Sequence, residues 1–143
     1  MDDIEAIKVV QARYCRAADT RDWDLLRTTV TDAFSCDTGP GGMGLTTGWE
    51  AFLERMRSVT IVTVHVALLP EIELTSATTA TGVWAAQSLA HMPDGLTVQT
   101  FGHYHNEYEK AGGAWRLSVL RLEMLHREIR PPAAPTAGGP AGA

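Results

Sequence analysis

The order of two hydrophobic patterns along the chain most constrains what it can fold into. Before residue 58 the apolar residues recur at spacings of three and four, which is typical of helices. After residue 60 they lie in valine- and threonine-rich alternating runs, which are typical of strands. Helices followed by antiparallel hairpins indicate an α+β domain. We therefore expect a curved antiparallel sheet, mixed at its edge, that wraps around the N-terminal helices as a cone with an internal apolar pocket.

Three helices are predicted in the first part of the chain. The first begins after Asp2 or Asp3, either of which can cap it and complement its dipole. The second is predicted from Asp22 to Thr31, and the third follows Gly48. Residues 35–48 are rich in glycine, so we expect them to be irregular.

The second part is predicted to consist of strands and hairpins. A strand over Thr60 to Leu69 is interrupted by Pro70, and turns are indicated at Pro93-Asp94-Gly95 and Gly112-Gly113. The last strand runs from Ala114 to about Arg130, and both of its faces are apolar at first. This pattern predicts that helices cover one face and that a partner or another layer covers the other.

The chain length favours a single domain over residues 1–130. Residues 131–143 form a proline-, alanine- and glycine-rich tail without core-forming side chains. Composition favours a disordered tail, and the alternative is a lid or a cover on a neighbouring subunit.

Charge and composition exclude several classes of function. With 12 basic and 17 acidic residues, the net charge is -5, so the chain has no electrostatic footprint for nucleic acid or an anionic membrane. The acidic start, Met1-Asp2-Asp3, is unlike a signal peptide, and there is no run of about 18 apolar residues to span a membrane. The expectation is a cytoplasmic protein.

The sequence contains no phosphate loop, dinucleotide fingerprint, nucleophile elbow or HExxH motif, so no cofactor is predicted. Cys15 and Cys36 are too few for a disulfide framework or a cysteine zinc site. His103 and His105 share one strand face and could chelate a metal, but a solvated face or a subunit contact is the better interpretation, and no metal site is predicted.

Three polar residues in apolar surroundings are candidates for acid–base chemistry. Tyr14 lies on the apolar stripe of the first helix, where its hydroxyl either bonds to backbone or donates to a substrate oxyanion. Asp19 follows near the helix end, and His65 lies within an apolar strand. A buried histidine needs a partner, and a carboxylate would orient its ring and raise its basicity. An Asp–His pair beside a tyrosine would supply a base and a polarising acid without a cofactor.

Asp37 is a second candidate base. It leads into the glycine-rich loop, and a carboxylate at the mouth of an apolar pocket would have a raised pKa. The alternative is a loop aspartate that faces water.

The chain resembles the SnoaL-like group of the NTF2-like, or cystatin-like cone, superfamily. The resemblance rests on residues 12–23 (ARYCRAADTRDW), on Val64-His65, and on residues 102–106 (GHYHN) leading to residues 112–117 (GGAWRL). It covers about residues 4–128 and is specific for the fold. The superfamily includes scytalone and bile-acid dehydratases, ketosteroid isomerase, polyketide cyclases and non-catalytic binding proteins.

In the dehydratase branches, Tyr14, Asp19 and His65 match a tyrosine, an aspartate and a strand histidine. The resemblance implies that His65, oriented by Asp19, removes a proton next to a carbonyl while Tyr14 polarises it. Arg121 is similar to a further polar site residue of the last strand, and His103 or His105 could take the place of a second histidine.

In the isomerase branch, Tyr14 matches the oxyanion-hole donor, and Asp37 lies near the place of the base. Asn106 stands where that branch has a buried aspartic acid, which is a departure from its pattern. A non-catalytic binding protein remains the third interpretation.

The substrate implied by the resemblance is a hydrophobic cyclic compound such as a steroid or polyketide. The aromatic residues that could form the pocket walls are Trp23, Phe34, Phe52, Trp84 and Tyr104. Because many members of the superfamily associate through the sheet, a homodimer or homotrimer is expected.

Overall fold

The computed structural model describes residues 1–59 and 61–133. Helix α1 spans Asp3–Thr20, and its N-cap is Asp2, whose side chain accepts a 2.8 Å hydrogen bond from the Glu5 amide. The helix ends at Arg21, which adopts a left-handed conformation with φ of 58° and is followed by a backbone hydrogen bond from Asp22 to Ala17. The predicted first helix is thus present with the predicted type of cap.

Helix α2 spans Trp23–Thr29 and is capped by Asp22, as predicted. It ends before the predicted Thr31 because Val30 already belongs to the first strand. Helix α3 spans Trp49–Ser58 and follows Gly48, again as predicted.

The prediction that residues 35–48 are irregular is wrong in part. Strand β1 spans Val30–Asp37 and strand β2 spans Leu45–Thr47, and the two pair as an antiparallel hairpin around the glycine-rich loop. β1 is held mainly by a parallel pairing with the last strand, far away in sequence. Its local pattern of residues carries little strand signal, since long-range pairing rather than propensity defines it.

Strand β3 spans Val62–Leu74 and strand β4 spans Thr79–His91. The predicted interruption at Pro70 is a bulge rather than an end: the pairing with β4 shifts between Leu68 and Glu71, and Leu69 has φ of 48°. β3 is an edge strand, where a proline and a bulge are tolerated because fewer ladder hydrogen bonds depend on them.

Strand β5 spans Thr97–Ala111 and strand β6 spans Ala114–Arg130. The turn at Pro93-Asp94-Gly95 precedes β5, and the two-residue turn Gly112-Gly113 joins β5 to β6, as predicted. Both glycines of the second turn have positive φ, 58° and 78°, which a tight hairpin requires.

The six strands form one sheet in the order β2-β1-β6-β5-β4-β3. The β1–β6 pair is parallel and the other pairs are antiparallel, so the sheet is mixed near one edge, and it is not closed. Helix α1 packs on the inner face, mainly against β3 and β6. This confirms the predicted α+β class and the cone.

Two bulges in β6 change which side chains point inward. Ser118 and Leu125 are the extra residues, because the pairing with β5 shifts at both places. Near Leu117 the odd-numbered side chains therefore point inward, whereas near Leu120 the even-numbered side chains do. Both of these leucines are buried. The two-sided apolar pattern of β6 thus follows partly from a bulge, which also bends the strand around the helices.

Gly102 on β5 lies opposite the second bulge. A Cβ at this position would lie 2.0 Å from the carbonyl oxygen of Glu123, so only glycine allows the two strands to approach this closely. Gly102 therefore fixes the curvature of the sheet at the open end of the cone.

The assignment of residues 1–130 as one domain stays a prediction, and most of the predicted tail, residues 134–143, lies outside the described residues. Within the described ranges, no helix is both long enough and apolar enough to cross a membrane.

Replacing Gly102 with alanine is expected to lower the free energy of unfolding by about 1–3 kcal/mol, because the added methyl must displace backbone rather than a flexible side chain. Gly41→Ala is the matched control, since its Cβ would make ordinary 3.5 Å contacts with the Met124 side chain. Urea denaturation followed by tryptophan fluorescence measures both. Equal stability of the two variants would contradict the close approach of the strands.

The three tyrosines of the chain, Tyr14, Tyr104 and Tyr108, are buried, and burial raises the pKa of each above its ordinary 10.0. Burial likewise raises the pKa of the Cys15 thiol to about 11. Because the pKa of each of these groups is higher in the folded than in the unfolded chain, each group stabilises the fold fully at a pH below its unfolded-state pKa. This stabilisation is lost as the pH rises from the unfolded-state pKa toward the folded-state pKa.

We therefore expect the free energy of unfolding to fall above about pH 9–10, by up to about 1.4 kcal/mol per pH unit for each buried tyrosine. Urea denaturation at several pH values measures this slope. Tyr14→Phe should make the slope shallower, and an unchanged slope would mean that this hydroxyl ionises as freely as in the unfolded chain.

Candidate functional site

A cavity of about 300 Å³ lies between α1, α3 and the inner face of the sheet. Its lining includes residues of the 38–44 loop, the C-terminal end of α3 and the ends of β4 and β6. Its wall is largely apolar, and its apolar members include Ala18, Phe52, Met56, Ile61, Leu120 and Leu122. The expected internal apolar pocket is thus present.

Asp19 and His65 form a hydrogen-bonded pair beside this cavity. The Nδ1 atom of His65 lies 2.6 Å from Asp19 Oδ1, and the backbone amide of His65 donates to Asp19 Oδ2 at 2.9 Å. The hydroxyl of Thr63 donates to Oδ1 at 3.1 Å. The side chains of Asp19 and His65 are 20% and 27% exposed, so the pair is largely withdrawn from water.

The carboxylate determines which nitrogen of His65 can act as a base. Asp19 accepts a hydrogen bond from Nδ1–H, and in the neutral ring this leaves Nε2 as the unprotonated nitrogen. Among the described residues, Nε2 has no hydrogen-bond partner, and the ring lines the cavity. The arrangement can therefore accept a proton from a bound molecule.

Asp19 lies in the last turn of α1, where the helix dipole disfavours a negative charge. The three donors from β3 compensate for this position, and the interaction attaches the end of α1 to the strand that carries the histidine.

Tyr14 lines the same cavity from α1, one and a half turns before Asp19. Its ring stacks on Phe52 with centroids 6.4 Å apart and meets Phe34 edge-on at 6.0 Å. Burial is the main reason that the pKa of Tyr14 lies well above its ordinary value, with smaller contributions from the neighbouring Cys36. The hydroxyl thus stays protonated at neutral pH and can donate a hydrogen bond.

Tyr104 on β5 and Cys36 on β1 are further buried polar groups of the cavity wall. Burial raises the pKa of Tyr104, and it raises that of the Cys36 thiol to about 12. Both groups are therefore neutral at physiological pH, and Cys36 is not a thiolate nucleophile.

The structure brings some of the predicted wall residues to the cavity and leaves others elsewhere. Phe52 and Tyr104 line it. Phe34 is fully buried behind it and packs edge-on against Phe52 at 5.0 Å. Trp23 lies outside it, beneath the Arg21 guanidinium at 5.0 Å. Trp84 lines a separate cleft between α1 and β3, whose lining also includes His65.

Asn106 does not face the cavity. It is buried in a polar network in which its Nδ2 donates to Gln11 Oε1 at 2.9 Å. The hydroxyl of Tyr108 donates to the same oxygen at 2.8 Å and accepts from Trp84 Nε1 at 2.9 Å. These bonds link α1 to the sheet, so the network has a packing role, and within the described residues Asn106 Oδ1 is the one buried atom of the network without a hydrogen-bond partner.

Asp37 does not line the cavity either. Its carboxylate accepts a 2.9 Å hydrogen bond from the amide of Gly39 and thereby stabilises the turn into the glycine-rich loop. Arg121 is exposed on the outer face of β6, since its neighbours Leu120 and Leu122 line the cavity.

His103 and His105 also belong to the outer face, because Tyr104 between them points inward. His105 Nε2 lies 3.7 Å from Glu123. Across residues 1–59 and 61–133, no group of three or more His, Cys, Asp or Glu side chains could hold a metal ion.

Sequence reasoning missed three arginines that line the cavity: Arg21, Arg55 and Arg127. Simple alternation would have put Arg127 on the same outer face as Arg121. The bulge at Leu125 reverses the alternation, so Arg127 points inward, where its Nη1 donates to the carbonyl of Gly41 at 2.6 Å. The bulge has no clear signal in the sequence.

Comparison with known proteins agrees with this architecture. The model of the SnoaL-like domain family matches residues 1–121. A protein of Gibberella zeae named "Probable cyclase FGR4" is 28% identical over 146 aligned positions, which cover 87% of this chain and 95% of that protein.

Solved structures share the fold at lower identity. A type 2 hexachlorocyclohexane dehydrochlorinase (LinA) superposes with a TM-score of 0.79 at 21% identity, over 92% of this chain and 93% of its own. A scytalone dehydratase-like protein of Novosphingobium aromaticivorans has the same TM-score at 17% identity, over 97% and 95% of the two chains. The Kfla4162 protein of Kribbella flavida matches at 0.79 and 24% identity, over 88% and 93%.

The family match spans most of the chain, and the mixed open sheet around N-terminal helices is the architecture of the structural relatives. This protein belongs to the SnoaL-like family and has the NTF2-like cone fold.

Proposed function

We propose that this protein is a cofactor-independent lyase that removes water from a hydrophobic cyclic hydroxy ketone, such as a steroid or polyketide. The observation that carries the proposal is the Asp19–His65 pair, whose second ring nitrogen is available at an apolar cavity that also contains the Tyr14 hydroxyl. A base and a proton donor in one water-poor cavity are what a proton abstraction next to a carbonyl needs.

In the proposed reaction, Nε2 of His65 removes the proton from the carbon next to the substrate carbonyl. The electron pair of that C–H bond moves onto the carbonyl oxygen, and the Tyr14 hydroxyl stabilises the resulting enolate by a hydrogen bond. The enolate then re-forms the carbonyl and expels the hydroxyl group from the next carbon. This group leaves as water with the proton that His65 had accepted, so the enzyme returns to its starting state.

Asp19 contributes without touching the substrate. Its carboxylate holds the His65 ring in one tautomer and stabilises the imidazolium that forms after proton transfer. The raised pKa of Tyr14 keeps its proton in place, so the tyrosine acts as a hydrogen-bond donor rather than as the base.

The relatives support proton abstraction as the common step. A dehydrochlorinase removes a proton and a chloride, and a dehydratase removes a proton and a hydroxyl group, so each reaction needs a base. The cyclase name of the Gibberella zeae relative favours a second candidate, in which the enolate attacks another carbonyl of the same substrate. An isomerase that uses Asp37 as its base has less support, because that carboxylate holds the turn at Gly39.

The proposed dyad can be tested on a panel of fused-ring β-hydroxy ketones by following the appearance of the conjugated enone in the ultraviolet. His65→Ala is expected to lower kcat/KM by about 10²- to 10⁴-fold, because it removes the base. Asp19→Asn should lower it by about 10- to 100-fold through loss of ring orientation. His91→Ala, an exposed strand histidine, is the matched control.

Exchange of the substrate's α-hydrogen for deuterium in D₂O, followed by NMR, separates the candidates. Exchange and elimination that both depend on His65 support the lyase, and His65-dependent ring closure supports the cyclase. If the folded His65→Ala and Asp19→Asn variants kept full turnover and exchange, the dyad would be excluded, and binding without any exchange would favour a non-catalytic protein.

The outer face of the sheet supports a second copy of the chain as partner. Val62, Val64 and Leu68 of β3 are 64%, 47% and 44% exposed, which forms an apolar stripe on this face. Arg121 and Glu123 of β6 lie on the same face and carry opposite charges, so two copies related by a twofold axis could pair them.

We expect the chain to be a dimer or trimer at micromolar concentration, and Val64→Glu to dissociate it, because the new carboxylate would be buried in the interface. Light scattering during size-exclusion chromatography measures the mass. Leu45→Glu on β2, at another exposed apolar residue, should leave the mass unchanged. A monomeric unsubstituted chain would refute this interface.

A further inference from the structure

The charges that the described residues contribute to the cavity lining have one sign. They belong to Arg21, Arg55 and Arg127, and none of the aspartates or glutamates of residues 1–59 and 61–133 lines the cavity. This contrasts with the whole chain, which contains 17 acidic and 12 basic residues. The three arginines are exposed overall, so they form a rim at the mouth, whereas Tyr14 and Tyr104 are buried deeper.

Arg55 is the arginine that is most available to a ligand. It lies in the last turn of α3, and within the described residues its guanidinium makes no hydrogen bond or ion pair. Its positive charge acts on the buried Cys36 thiol of the cavity wall, where it partly opposes the rise in thiol pKa that burial causes. The guanidinium is thus close to the cavity interior while its donors remain free.

Arg21 and Arg127 are held in place by backbone carbonyl groups rather than by carboxylates, and Arg21 also donates through Nη2 to the carbonyl of Arg57 at 3.4 Å. Arg21 Nη1 donates to the carbonyl of Val59 at 2.7 Å, and Arg127 Nη1 donates to that of Gly41 at 2.6 Å. These bonds fix the two side chains without neutralising their charges. A guanidinium has five N–H donors, so donors remain for a ligand.

Arg21 also occupies a backbone position that favours glycine. It is the left-handed residue after α1, with φ of 58°, and glycine is the usual choice there because it has no Cβ. An arginine at this position is strained, and its side chain lines the cavity. The arginine side chain bonds to carbonyls at the end of α3 and also reaches the cavity, which glycine could not do.

We infer that this arginine rim is an anion-binding subsite, and that the substrate carries an anionic group, with carboxylate or phosphate oxygens, that the rim binds. Only the identification of the bound anion as a substrate rests on the proposed function, since anion binding itself does not require turnover. Arg55 supplies the main contact, and Arg21 and Arg127 add positive charge. Guanidinium groups suit this task because they bind carboxylate and phosphate oxygens in a bidentate manner.

This subsite orients a ligand in the cone. With the anion at the rim, the apolar body of the ligand extends along Phe52 and Leu122 toward His65 and Tyr14. The rim also attracts anionic ligands to a protein whose overall charge would repel them. The arginines are therefore binding and specificity residues, whereas the less exposed Asp19–His65 pair carries the proposed chemistry.

Isothermal titration calorimetry with three matched probes tests the subsite: 2-naphthoate, neutral 2-naphthamide and 2-naphthyl phosphate. The unsubstituted protein should bind naphthoate at least about tenfold more tightly than naphthamide, and more weakly as salt is raised. Arg55→Gln should weaken naphthoate binding by about tenfold or more and leave naphthamide unchanged. Arg57→Gln, in the same turn of α3 but away from the cavity, is the matched control.

The phosphate probe distinguishes the two anion types, since tighter binding of naphthyl phosphate than of naphthoate assigns the rim to a phosphorylated ligand. Arg21→Gly provides a second variant that relieves backbone strain, so a loss of anion affinity with unchanged or higher thermal stability supports the inference. His65→Ala should still bind naphthoate, which separates this subsite from the proposed reaction. Equal affinity for naphthoate and naphthamide, or equal loss of both in Arg55→Gln, would overturn the inference.

Discussion

The hydrogen bonds from β3 to the Asp19 carboxylate are the interaction on which the rest of the site depends. A carboxylate in the last turn of a helix is opposed by the helix dipole, and here two side chains and one backbone amide of β3 compensate for it. The same bonds attach α1 to the inner face of the sheet and select the tautomer of His65, whose ring lines the cavity. Structure and proposed chemistry therefore share one set of contacts.

The curvature of the sheet makes the cavity possible. Bulges at Ser118 and Leu125 bend β6, and Gly102 lets β5 approach the second bulge more closely than any side chain would allow. The cone thus encloses apolar space at one end and opens at the other. This division places the acid–base pair in the interior and the arginine rim at the mouth, which fits a ligand with one apolar and one charged end.

Several features could be predicted because they depend on short stretches of sequence. The helix caps at Asp2 and Asp22, the glycine hairpin at residues 112–113 and the long final strand all follow from local chemistry. Tyr14 and His65 were identified because each is a polar residue in apolar surroundings, and a buried polar group needs a partner. Strand β1 and the continuation of β3 past Pro70 were missed, since pairing with distant strands overrides the local signal.

The α+β order of elements, the family resemblance and the residue types available for acid–base chemistry can be read from the amino-acid sequence alone. Which of these residues meet depends on the tertiary structure. It joined Asp19 to His65 across 46 positions, used Asp37 in a turn and Asn106 in a buried network, and turned Arg127 rather than Arg121 toward the cavity. The physical reason is that a side chain's direction on a strand depends on every bulge before it, and bulges arise from pairing with a distant strand rather than from the local sequence.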